Sequence, residues 1–328
     1  MTFLVDELIP DLSGHLAALG RIETFSGREL TRQHLLDLKP DVLLVRSTTM
    51  VKGALLAGTS VRFVGSATAG VDHVDIQWLS DNNIGFAYAP GSNAGAVVQY
   101  VLTVLDRFRP KRSLQLGIVG YGHVGSLLAS SAEQLGMRVL VNDPPLHQAG
   151  ALNREHTELS ALLAQCDVLS LHVPLIVDGL FPTRHLINAD AMKLMRQGAL
   201  MINTSRGGVV DEDAIPETLE FVLDVFEDEP LLHNMSVERA LLVTPHIAGH
   251  TLSAKRRGAE MVEAALRNVL THSRESSGAP PMMAGRDLAE QRVVSVDSRR
   301  LESELQEQWL ANPTPGTFDR CRREYVLV

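Results

Sequence analysis

The chain is short of cysteine, of net positive charge and of long apolar runs, and each shortage removes a class of protein. Only two cysteines, Cys166 and Cys321, occur among 328 residues, and neither belongs to a C-x-x-C pair. That excludes a disulfide scaffold and a thiolate metal centre, and it predicts a reducing compartment. Acidic residues outnumber basic ones 39 to 30, a formal charge of −9, so nucleic acid is excluded as the main partner. The basic clusters at 255–257 and 320–323 are local and read as solvated helix faces. The longest apolar stretch, residues 94–105, is interrupted by Gln99 and is too short to span a bilayer. Near the start, Asp6 and Glu7 follow a short apolar run, the wrong order for a signal peptide, which predicts a cytoplasmic protein. No internal repeat of fixed short period is present.

What is present is alternation of short apolar runs with amphipathic segments, as parallel sheets with helical crossovers require. In a first series, strands are expected at residues 3–6, 42–46, 62–66 and 85–88, with Leu12, Leu16 and Leu19 at helical spacing between them. A second series predicts strands at 116–119, 138–142, 168–173, 199–203, 221–226 and 241–244. The apolar segments 95–105 and 252–270 read as helices through which the chain enters a second domain and returns. The expected fold is therefore α/β: a doubly wound, Rossmann-like domain (94–249) inserted in a second doubly wound, flavodoxin-like domain (1–93 and 250–274). Residues 275–328 read as linker followed by a small helical segment, with Leu301, Leu305 and Leu310 on one helix face. Some forty residues do not bury a core alone, so this tail is expected to dock, most economically at a subunit interface.

The second series opens on G-Y-G-H-V-G, from Gly120 to Gly125, directly after an apolar strand and before a helix carrying Val124, Leu127 and Leu128. A lone G-x-G-x-x-G is weak, but the strand and helix around it make it a dinucleotide fingerprint. Gly120 permits the turn, Gly122 the approach of a pyrophosphate and Gly125 close packing of helix on strand. Asp143 ends the next strand, where a carboxylate accepts from the adenosine ribose and repels a 2′-phosphate, so NAD is the expected cofactor. His123 is expected to point to solvent.

Downstream, Arg206, Glu229 and His246 each follow a predicted strand at its carboxyl end, where open α/β sheets bind ligands. An arginine fork suits a carboxylate, a histidine exchanges protons near neutrality, and a glutamate on its far nitrogen fixes the tautomer. Each has a bland reading by itself: loop residue, member of an acidic run, strand cap. Together, beyond a dinucleotide fingerprint, they suit oxidation of a 2-hydroxy acid.

The segments I-N-T-S-R-G-G-V-V-D (202–211), L-D-V-F-E-D-E-P (223–230) and T-P-H-I-A-G (244–249) resemble the signatures of the D-isomer-specific 2-hydroxyacid dehydrogenases. The resemblance covers nearly the whole chain. V-R-S-T-T (45–49), F-V-G-S-A-T-A-G-V-D-H-V-D (63–75), N-D-P-P (142–145) and the tail's P-G-T-F-D-R-C-R-R-E-Y (315–325) are similar to a branch of that family acting on a phosphorylated 2-hydroxy acid. The resemblance implies Arg206, Glu229 and His246 as catalytic residues, with His246 the proton donor and acceptor. It implies Ser47 and Thr68 as substrate contacts, and Asp143, Val173, Asp224 and Gly249 as further NAD contacts. The tail matches the family's dimerisation region, implying a homodimer. His250 stands where the family usually has a substrate-contacting Tyr. The crossover from Arg206 to Asp224 is short and broken by Pro216, which bears on where Glu229 sits. Arg28, Arg46, Arg320 and Arg322 are candidates for the substrate phosphate.

Overall fold

The computed structural model describes residues 1–12, 16–110, 113–231, 239–272, 283–284 and 309–324. They form two compact units, Met1–Asn93 with Leu252–Glu290 and Ala94–Thr251 with Gln291–Val328. Each holds one six-stranded, all-parallel sheet with helices on its faces.

In the first unit the strands are β1 (Thr2–Asp6), β2 (Arg21–Phe25), β3 (Val42–Val45), β4 (Phe63–Ser66), β5 (Gly85–Tyr88) and β12 (Met283–Ala284). They are ordered β12-β5-β4-β3-β1-β2. The strands are mostly apolar where the sheet is covered on both sides, with Asp6 and Ser66 the buried polar residues at the ends of β1 and β4, and successive residues serve opposite faces. Val42 and Leu44 pack with Phe3, Val5 and Val262 on one face. Leu43 and Val45 pack with Leu4, Val64 and Leu79 on the other. The expected helix 252–270 runs from Leu252 to His272 and buries Met261, Val262 and Leu266 on the first face.

Two elements escaped the sequence reading of this unit. β2 reads Arg-Ile-Glu-Thr-Phe and is only partly buried, because as an edge strand it has one neighbour and shows no apolar run. Met283 and Ala284 lie in the stretch read as linker, yet they pair with Ala87 and Tyr88 at the other edge.

The second unit contains β6 (Gln115–Val119), β7 (Arg138–Asn142), β8 (Val168–Leu171), β9 (Leu200–Asn203), β10 (Glu220–Leu223) and β11 (Leu242–Val243), ordered β11-β10-β9-β8-β6-β7. Alternation again divides the strands between two cores. Val168, Leu200, Ile202 and Val222 face the helix Ala94–Phe108, whereas Leu169, Leu171, Met201, Phe221 and Leu223 face the opposite layer. Because β6 has β7 on one side and β8 on the other, the chain's winding reverses at β6, and the crevice of such a sheet opens there.

The crossover between β9 and β10 has only two short 3-10 turns, Gly207–Val209 and Glu212–Ala214. Pro216 follows them, and a cavity of about 370 Å³ opens there, lined by Met192, Met195, Ala214, Pro216 and Leu219. The tail docks on this unit: Trp309, Phe318 and Cys321 are buried against Phe226 and Val243. A helix spans Pro315–Glu324 in the tail, while Leu301 and Leu305 lie outside the described residues. Among the described residues no helix is long and apolar enough to cross a membrane, and no cluster of His, Cys, Asp and Glu is placed to hold a metal.

Candidate active site

The turn after β6 has the geometry that a dinucleotide needs. Gly120 has φ +92°, and a Cβ there would come within 2.5 Å of the His172 carbonyl oxygen and 2.9 Å of the Val173 side chain. On Gly125 a Cβ would lie 2.0 Å from the Gly120 carbonyl oxygen, so only glycine lets the helix His123–Gln134 start this close to the turn. By contrast, a Cβ on Gly122 would meet nothing within 4 Å, so open space faces the backbone there. The first internal bond of that helix runs from Ser126 N–H to the Gly122 carbonyl, and the N–H groups before it have no partner within the helix. Open space before unpaired N–H groups, with the positive end of a helix dipole behind them, suits a pyrophosphate. His123 is exposed.

Asp143 binds this turn to the end of β7. One carboxylate oxygen accepts from Tyr121 N–H (2.7 Å) and the other from Leu146 N–H (2.9 Å), which caps the helix Pro144–Gln148. Each oxygen has a second lone pair, so the ribose hydroxyls expected there retain acceptors.

Glu229 and His246, far apart in sequence, are joined by a 2.8 Å hydrogen bond between Oε2 and Nδ1. A carboxylate only accepts, so Nδ1 carries the hydrogen and Nε2 is left to exchange protons. Both side chains are partly open, Glu229 at 24% and His246 at 34%. Burial pushes the Glu229 carboxyl up, but the charge and hydrogen bond of His246 and the guanidinium of Arg322 outweigh it. The net shift is downward, and Glu229 is anionic at neutral pH. Its Oε1 accepts from Phe226 N–H at 3.2 Å.

Arg206 follows β9, half-buried, with Nη1 donating to the Ser205 carbonyl at 2.7 Å. Asn203 Nδ2 donates to the Arg206 carbonyl and fixes the turn. The next residue ties this loop to that of Glu229: a Cβ on Gly207 would lie 1.9 Å from the Phe226 carbonyl carbon. The three residues therefore stand on neighbouring strand ends in touching loops. The short crossover has not displaced Glu229.

Asp224, expected among the NAD contacts, is 1% exposed. It accepts from Thr244 Oγ1 (2.6 Å), Ile247 N–H (2.7 Å) and Ala248 N–H (2.9 Å), and its backbone carbonyl accepts from His246 N–H. Burial pushes its carboxyl up, against these donors and the His246 charge. The carboxylate thus holds the loop 244–249, in which His246 adopts φ +55°, from beneath. Gly249 and His250 follow in the same loop, both half-buried, and His250 N–H bonds to the Ile247 carbonyl. Val173 is half-buried after β8.

Ser47 and Thr68 belong to the first unit, at the carboxyl ends of β3 and β4. Ser47 is exposed; Thr68 is half-buried, its hydroxyl 2.8 Å from that of Ser66 and 3.0 Å from the Gly70 carbonyl. Nearby Arg46 donates from Nε to buried Asp6 at 2.8 Å.

Three supporting residues were missed. Tyr100 places its hydroxyl 2.7 Å from Thr244 Oγ1, extending the Asp224 network, but in sequence it is one apolar position of a buried helix. Glu212 is 5% exposed and accepts the Glu227 N–H at 2.7 Å. Burial, with acidic neighbours, pushes its carboxyl up to about 8. The acidic run D-E-D at 211–213 hid it, since such runs usually face water. Arg322 was read as part of a solvated basic face and as a phosphate candidate, whereas its Nε is buried and its guanidinium lies over Phe318.

Residues 106–248 match the NAD binding domain of the D-isomer specific 2-hydroxyacid dehydrogenases. Aligned over its whole length, the chain is 39% identical to erythronate-4-phosphate dehydrogenase of Marinobacter nauticus, covering 92% of that protein. Against the enzyme of the same name from Pseudoalteromonas translucida it is 43% identical, over 80% of this chain and 73% of the relative. The chain belongs to the erythronate-4-phosphate dehydrogenase family. It is thus an NAD-dependent oxidoreductase of the 2-hydroxyacid dehydrogenase class. The fold agrees with the TT0316 protein of Thermus thermophilus (26% identity, TM-score 0.71), covering 86% of this chain and 99% of that one. It agrees equally with the NAD+-bound 3-phosphoglycerate dehydrogenase of Entamoeba histolytica (22% identity, TM-score 0.70), again over 86% of this chain and 99% of that one.

Proposed function

We propose that the chain oxidises 4-phospho-D-erythronate to 2-oxo-3-hydroxy-4-phosphobutanoate, with NAD as the acceptor, in pyridoxal 5′-phosphate biosynthesis. The names of the relatives support the substrate. One observation carries the chemistry: a partly exposed imidazole whose far nitrogen is held by a carboxylate at 2.8 Å, beside a loop that presents a guanidinium.

Arg206 binds the substrate carboxylate through its planar fork. His246 Nε2 takes the proton of the 2-hydroxyl, and Glu229 stabilises the imidazolium that results. Asp224 and Tyr100 hold the loop of His246 while that charge develops. Ser47, Thr68 and His250 bind the rest of the substrate, His250 donating where the family usually places a tyrosine hydroxyl. Gly120, Gly122, Gly125, Asp143, Val173 and Gly249 hold the cofactor, with Asp224 shaping the last of these positions. NAD, when bound, supplies the acceptor for the hydride that leaves C2. Electrons balance as alcohol to ketone and NAD+ to NADH, and the proton leaves through His246.

The test is NADH formation at 340 nm by the purified chain with 4-phospho-D-erythronate, against 3-phosphoglycerate and glycolate. His246→Ala is expected to lose roughly 10²–10⁴-fold in kcat with NAD affinity intact. Unchanged turnover in that variant refutes the role of His246, and preference for another acid refutes the substrate. The reading includes a cytoplasmic homodimer through the tail, checked by light scattering and by dissociation on deleting residues 309–328.

A further inference from the structure

The tail's described residues pack on the catalytic loops of their own unit. Phe226 lies three residues before Glu229 and gives it a backbone hydrogen bond. Val243 lies three residues before His246. Both are buried in one cluster with Trp309, Phe318 and Cys321. The rings interlock: Phe226 stacks on Trp309 at 5.7 Å and meets Phe318 edge-on at 6.2 Å, and Trp309 meets Phe318 at 5.8 Å. Next to Cys321 on the same helix, Arg322 has its guanidinium carbon 5.5 Å over the Phe318 ring and its Nε buried. A guanidinium held over an aromatic face and partly screened from water keeps its charge and acts more strongly than a fully solvated one.

We propose that Arg322 is a positioning residue for the Glu229–His246 pair. The apolar face of the helix Pro315–Glu324 clamps the roots of both loops, and the half-buried guanidinium holds Glu229 anionic and opposes excess protonation of the imidazole. The proposal rests on the assignment of His246 as the proton acceptor and adds to it a residue from the other end of the chain. The groups facing the pair are Phe226 N–H on Glu229, Asp224 beneath His246, the acidic Glu212 and Glu227 along the Glu229 loop, and Arg322 from the tail. Arg322 is the cation among those named. Its removal makes the site more negative, which favours the imidazolium and moves the onset of activity to higher pH.

The experiment uses the full chain with Arg322→Met, which keeps the apolar stem, and Arg322→Lys, which keeps the charge. The acid limb of kcat/KM for 4-phospho-D-erythronate is followed from pH 5 to 9, and the His246 ring is titrated by NMR in the same proteins. Arg322→Met is expected to move the limb and the ring titration upward by roughly half a pH unit or more, about a threefold loss of rate on that limb. Arg322→Lys is expected to restore most of it. Superimposable profiles in wild type and Arg322→Met overturn the proposal. So does a loss of kcat uniform in pH, which marks a merely structural role. An inactive wild type sinks the proposed dehydrogenase function, and the NMR titration then decides the role of Arg322 without turnover.

Discussion

Glu212 makes the stability of this protein depend on pH in an unusual direction. A surface carboxylate that gains a partner on folding stabilises the native state as pH rises. Glu212 does the reverse: burial lifts it from 4.5 to about 8, with Glu227, Glu229 and Asp213 adding to the effect. Between those values the folded chain keeps a proton that the unfolded chain has released. The native state therefore loses stability as pH rises through that window. At roughly 1.4 kcal/mol per pH unit, the accumulated loss by pH 8 is on the order of 5 kcal/mol. Glu212→Gln removes the titration and keeps an oxygen for the Glu227 N–H, at a cost of about 1 kcal/mol if its amide finds no acceptor.

The variant is therefore expected to be slightly weaker than wild type at pH 5 and stronger by several kcal/mol at pH 8.5, the two curves crossing between. Urea denaturation followed by circular dichroism at unit pH steps gives the difference directly, and groups common to both proteins cancel. If the two curves run parallel from pH 5 to 9, Glu212 is ionised in the folded state and the reasoning fails.

Three other perturbations follow from the site. Gly207→Ala forces a methyl into the Phe226 carbonyl and is expected to cost roughly 1–3 kcal/mol in urea denaturation and to lower kcat by separating the Arg206 and Glu229 loops. Glu229→Gln retains the hydrogen bond but not the charge; a roughly 10²-fold fall in kcat/KM with NAD affinity within twofold is expected from steady-state kinetics and calorimetry. Asp143→Ala removes both the carboxylate proposed to meet the ribose and the cap on the helix Pro144–Gln148, so calorimetry is expected to show weaker NAD binding and less discrimination against NADP, with about 1 kcal/mol of stability lost.

Most strands were legible because they are buried on both faces and read as short, largely apolar runs. β7 and β5 span the residues expected of them, whereas β8 and β10 stop short of theirs. The overrun has a physical cause. Val225 and Phe226 are as buried as strand residues, but the backbone has left the sheet to carry Asp224 and Glu229, and Phe226 is covered by the tail. β2 failed for the opposite reason, being an edge strand with a polar sequence. The site candidates were picked by their chemistry at strand ends, and the structure joins two of them, Glu229 and His246. Their supports were not legible, because Tyr100, Glu212 and Arg322 act through contacts that no local period records.

The crossover before β10 shows why the Glu229–His246 pair survives a short scaffold. Were Glu229 positioned by a crossover helix, the two 3-10 turns and the cavity at Pro216 would leave it unanchored. Its anchors instead arrive from other directions: Nδ1 of His246, the backbone of Phe226, the contact of Gly207 and the aromatic clamp from the tail. The loop of His246 is held in turn by Asp224, itself fixed through Thr244 to Tyr100 on a helix of the core. A crossover near one face of the sheet can lose length at the cost of packing, because the groups that set the geometry sit at the strand ends. The same logic places the vulnerability of the site in the tail, whose loss removes the cover of Phe226 and the charge of Arg322 together.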